Sequence, residues 1–148
     1  MSLGLNGTKQ NEVDAAYRSL RVIWLAILTG VVTLFVITRL VQPAASNAKI
    51  IFWMLMALGL MSFGASFAMK QKTLKQAAGK NSLGMARIAY ILAFAFCEAT
   101  ALFGIVAYFV TGVEYYYFFF VLSGFGIILH KPQRDDLLAA AGTDNNWK

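Results

Sequence analysis

Four stretches of this chain are apolar over nearly the length a helix needs to cross a lipid bilayer, and that gathering constrains the fold more than any motif does. They run from Val22 to about Val41, from Ile50 to Met69, from Ile88 to Val110, and from about Tyr115 to Leu129. A bilayer core of about 30 Å takes about 20 predominantly apolar residues in helical form. Because that core offers no water to backbone N–H and C=O groups, each stretch must satisfy its own as a helix. The fourth is the poorest in aliphatic residues, yet Tyr115, Tyr116 and Tyr117 suit the headgroup region and extend it there. The expected fold is all-α, a polytopic membrane protein with four transmembrane helices in an antiparallel bundle. Composition agrees, since 59% of the 148 residues are hydrophobic and 14% charged. Soluble domains carry about 25% charged residues, so this chain has too few charges to coat a water-facing surface, and its apolar content excludes disorder.

Charge placement orients the bundle. Of thirteen Lys and Arg, the residues before the first span, the connection after the second span and the carboxyl-terminal tail hold eleven; the first connection holds Arg39 and Lys49, and the third holds none. The positive-inside rule then puts both tails in the cytoplasm. The expected organisation is a cytoplasmic amphipathic tail over 1–21, a transmembrane domain over 22–130 and a cytoplasmic tail over 131–148, in a bacterial inner membrane. Val13, Ala16, Tyr17 and Leu20 fall at helical spacing and read as a short interfacial helix leading into the first span. Residues 70–87 read as a lysine-bearing loop that marks topology, its first part continuing the second helix for a turn or two. Residues 111–114 leave room only for a tight hairpin. The aromatic block Tyr115–Phe120 falls where an outer aromatic belt belongs, and His130-Lys131-Pro132 reads as the stop of helix four.

Cys97 is the only cysteine and His130 the only histidine. One chain therefore builds neither a disulfide nor a thiolate cluster, a bis-histidine haem site or a two-histidine zinc centre. No nucleophile and base share a depth and no glycine loop is built to cradle phosphate, so the sequence points away from an enzyme, with no metal and no cofactor expected. The expected partners are the lipid bilayer and further protein, either copies of this chain in a homo-oligomer or subunits of a larger membrane complex; nothing points to nucleic acid.

One acidic residue lies inside a span. Glu98 is ten residues from Ile88 and twelve from Val110, which places it near the bilayer midplane. A charged residue at a helix centre costs about 2.5 to 3.5 kcal/mol on the insertion scale, while the Leu, Ile, Phe and Val of the third span return roughly 3 to 7 kcal/mol, so insertion tolerates it. Ala89, Ala93, Cys97 and Ala101 recur every four residues and, with Gly104, make a face of small side chains suited to close helix packing. Thr33 lies nearly level with Glu98, and Thr29, Ser62 and Ser123 lie slightly nearer the cytoplasm. Two readings stay open: Glu98 as a proton- or cation-binding carboxyl, the usual role of an intramembrane acid, or a neutral clasp hydrogen-bonded by those hydroxyls in a structural or accessory subunit.

The run Glu98-Ala99-Thr100-Ala101-Leu102-Phe103-Gly104-Ile105-Val106 resembles the ion-binding helix of the rotary ATPase proteolipid, or c subunit. The likeness covers about nine residues. It departs from the family in the partner helix, where only Gly59 and Gly64 stand, and in lacking the Arg-Gln-Pro loop. It implies that Glu98 binds a proton. The whole chain is similar to small uncharacterised four-helix bacterial membrane proteins with an acid-bearing third helix, a short outer turn, an aromatic fourth helix and an ending like His130-Lys131-Pro132-Gln133-Arg134-Asp135, a likeness that implies no activity.

Overall fold

A computed structural model describes residues 3–43 and 48–142, with side chains from residue 7 onward. All regular structure among these residues is helical: α1 (Leu3–Leu40), α2 (Lys49–Gly79), α3 (Leu83–Thr111), a single 3-10 turn (Glu114–Tyr116), α4 (Tyr117–Leu129) and α5 (Arg134–Ala140). The first three are long and apolar enough to cross a membrane; the apolar helix over Glu114–Leu129 is shorter. At 1.5 Å per residue, the 38 residues of α1 and 31 of α2 reach about 57 and 46 Å, well beyond a bilayer core of about 30 Å.

The connections are as tight as the sequence allows. Ser82 caps α3, its Oγ accepting from Met85 N–H at 3.4 Å, and answers one of the unpaired donors of the first turn. At the other end Gly112 takes the left-handed conformation (φ 61°) and its N–H bonds Tyr108 O at 3.0 Å, the arrangement that closes a helix where a Cβ would be strained. The expected loop over 70–87 is thus largely helix: α2 runs on to Gly79 and α3 begins at Leu83, because nothing between Lys70 and Ala78 breaks helical propensity.

α3 lies at the centre. Its small face, Ala89, Ala93, Cys97, Ala101 and Gly104, is buried, and it lets α2 and α4 approach closely. A Cβ added at Gly104 would stand 2.7 Å from Phe119 Cβ, and one at Gly126 2.7 Å from Cys97 Sγ. Phe119 fills the space thus opened, edge-on to Phe52 at 6.1 Å. Two polar bonds fix α1 against this core: Trp24 Nε1 donates to Ile127 O at 2.7 Å, and Tyr108 Oη donates to Val41 O at 2.6 Å.

A separate cluster closes the end that carries the α2–α3 turn, called here the tail end. Val13, Ala16 and Leu20 of α1 pack with Ala77, Ala86, Tyr90 and Phe94, and with Leu137 and Ala140 of α5. The stripe Val13, Ala16 and Leu20 lies on α1, which runs unbroken through residues 3–40, and it is buried against α3 and α5. Beyond His130, Leu137 and Ala140 bring α5 back onto the bundle.

Candidate functional site

Glu98 sits near the middle of α3 and is half-buried. Successive helical residues are about 100° apart, so Glu98 is turned away from the seam centred on Cys97. Its carboxyl has no hydrogen-bond or ion-pair partner among the described residues.

The structure does not bring this carboxyl together with the four hydroxyls expected near it. Thr29 Oγ1 donates to Leu25 O and Thr33 Oγ1 to Thr29 O, each at 2.9 Å on an exposed face of α1. Ser62 Oγ donates across to Phe96 O at 2.9 Å and so ties α2 to α3. Ser123 is fully buried, and its Oγ has no partner among the described residues. For Thr29 and Thr33 the physical reason is local competition, since a Ser or Thr hydroxyl in an apolar helix reaches a backbone carbonyl one turn back without ordering any other side chain, while Ser62 is taken by a carbonyl of α3. Thr100 does both, its Oγ1 lying 3.1 Å from Phe96 O and 3.3 Å from Gly59 O.

The densest polar constellation lies instead at the tail end. His130, the residue after α4, is 1% exposed. Its backbone N–H bonds Gly126 O, ending the helix, while its ring packs on Phe67 at 4.4 Å and its Nε2 lies 2.9 Å from Ser66 Oγ. Ser66 Oγ also donates to Phe63 O at 2.6 Å. With its one proton so committed, the hydroxyl accepts from His130, which fixes the neutral ring with its proton on Nε2. Burial, and next the nearby Lys70 ammonium, hold the imidazole well below its ordinary range, at about 4. His130 is therefore a buried neutral hydrogen-bond donor as well as the expected stop of helix four.

One turn beyond Ser66, Lys70 Nζ lies 4.3 Å from the centre of the Tyr90 ring, a cation–π placement. Tyr90 Oη donates to Asp136 Oδ2 at 2.5 Å and accepts from Gln133 N–H at 3.0 Å. These bonds pin the start of α5 to α3, while Arg134 Nε meets Asp14 Oδ1 at 2.8 Å and pins it to α1. Sequence reasoning missed this group. The available signal was a tyrosine two turns inside α3 together with Asp135-Asp136 just after a helix-stopping proline, but their pairing crosses 46 residues. Among the described residues no three of His, Cys, Asp and Glu come together as a metal site would need. No known protein family, curated protein or solved structure matches the chain.

Proposed function

We propose that the chain is an integral protein of a bacterial inner membrane, crossing it four times with both tails cytoplasmic, and that Glu98 is a proton- or cation-binding carboxyl working within a homo-oligomer or a larger membrane complex. The observation that carries this reading is the state of Glu98: a half-buried acid near the middle of a long apolar helix with no partner among the described residues. Leaving a carboxyl unpaired at such depth is costly, and intramembrane acids are kept where they bind something. The local likeness of Glu98–Val106 to the proteolipid ion-binding helix supports the same role.

The fourth crossing is the short one. The 13 residues of α4 cover about 20 Å, and the preceding 3-10 turn with its tyrosines supplies the rest at the interface. Slight thinning of the bilayer accommodates such a mismatch at modest cost. The chemistry is binding rather than catalysis. The second reading, a structural or accessory subunit, requires the clasp on Glu98 to come from another chain, since none of the hydroxyls of Thr29, Thr33, Ser62 and Ser123 is hydrogen-bonded to its carboxyl.

Infrared titration of the carboxyl stretch, with the protein in lipid, tests the proposal. A band that exchanges with water, titrates at an accessible pH and vanishes in Glu98→Gln is the expected result. A band that stays protonated and unexchanged throughout would make Glu98 a sealed clasp.

A further inference from the structure

Two cavities, one apolar and one of mixed polarity, meet at the end of the bundle away from the tails, and they share Arg39 and Tyr117. The first is a groove of about 430 Å³ between α1 and α4, walled by Leu28, Val31, Val32, Phe35, Phe120 and Val121 and floored at Gly124. A Cβ at Gly124 would meet no other atom within 4 Å, so the groove is open there. The second, about 550 Å³, is bounded by Tyr108, Gly112, Glu114 and Tyr116 together with the two shared residues. Both volumes fall within the roughly 300–1,000 Å³ of small-molecule sites.

The charges at the junction have no counter-charge bonded to them among the described residues. Arg39 packs over the Phe35 ring at 5.5 Å, and neither Arg39 nor Glu114 belongs to an ion pair among the described residues. One wall thus offers a guanidinium, which binds phosphate oxygens in bidentate fashion, and the same cup offers a carboxylate. An apolar trough leads from that cup along α1 and α4 toward the middle of the bundle.

We infer that this composite site holds one aminophospholipid: an acyl chain lies in the α1/α4 groove, the phosphate rests on Arg39, and the headgroup ammonium faces Glu114. Charge complementarity selects this occupant. A bare hydrocarbon or the apolar helix of a second copy would fill the groove and leave both charges unanswered, whereas a phosphate and an amine carried on one molecule answer both. The tyrosines around the cup place it at headgroup depth. The inference rests on the bundle being embedded in lipid; it does not depend on the role of Glu98 or on which side of the membrane the cup faces.

The test is native mass spectrometry of the full chain extracted from carbonate-washed membranes and equilibrated with equimolar phosphatidylethanolamine and phosphatidylglycerol of identical acyl chains. The expected result is one retained lipid with phosphatidylethanolamine favoured. Arg39→Gln should lower retention of both lipids about tenfold or more, as loss of a charged hydrogen bond implies. Glu114→Gln should keep a lipid but abolish the preference. Gly124→Leu should fill the groove and displace the lipid without lowering the thermal midpoint. Retention without preference in the wild type, or retention unchanged in all three variants, overturns the site. So does a dimer that Gly124→Leu dissociates, which would make the groove a seat for a second copy. Loss of the chain from the membranes at the carbonate wash would instead remove the embedding on which the inference stands.

Discussion

His130 illustrates how a single residue carries two roles that its sequence neighbourhood does not separate. Its backbone ends α4, while its ring is buried, packed on Phe67 and bonded to Ser66. In the unfolded chain the imidazole takes up a proton near pH 6.5, and in the folded chain only near 4. Between those values the unfolded state binds more protons, so His130 contributes stability in full above pH 6.5 and loses it as the pH falls toward 4. The thermal midpoint is therefore expected to drop across that window in the wild type, and part of the drop should disappear in His130→Phe, which keeps an aromatic ring against Phe67. Equal pH slopes in the two proteins would contradict a buried neutral histidine. Glu98 was legible in the sequence as the one acid within a span. Its lack of a partner was not, because whether a hydroxyl turns to a distant carboxyl or to its own helix depends on packing that the order of residues does not specify.

At the scale of elements, α3 organises the molecule through what it lacks. Its small face admits α2 and α4, so bulk added there has nowhere to go. Ala93→Leu is expected to lower the stability of the bundle by about 1 to 3 kcal/mol, measured by denaturation in detergent micelles, whereas Ala95→Leu on the exposed face of the same helix should change little. A tolerated Ala93→Leu would mean that the seam is looser than its burial implies. α5 depends on polar bonds as well as on Leu137 and Ala140. Tyr90→Phe removes the group that holds both Asp136 and Gln133, and the amides of residues 134–140 should then exchange about fivefold faster or more, in keeping with about 1 kcal/mol for a net hydrogen bond. The long helices were readable from hydropathy alone. α5 was not, since seven residues carry little periodicity and its apolar face acquires meaning only against Val13 and Leu20, more than a hundred positions away.

For the whole molecule, the placement of Lys and Arg gives a testable orientation. A reporter fused after Lys148 and one inserted near Gly79 should behave as cytoplasmic, and one at Gly112 as external; a cytoplasmic Gly112 would overturn the lysine and arginine count and with it the proposed four-span arrangement. The tail-end cluster has a further consequence for biogenesis. It joins residues from α1, α2, α3 and α5, and the residues of α5 leave the ribosome after all the others. Until they do, Val13, Leu20 and Tyr90 lack the cover of Leu137 and Ala140, and the nascent bundle presents an apolar patch on its tail side. A chain stalled or truncated after Pro132 would keep that patch, a ready mark by which holdase chaperones and membrane proteases could distinguish unfinished copies from finished ones.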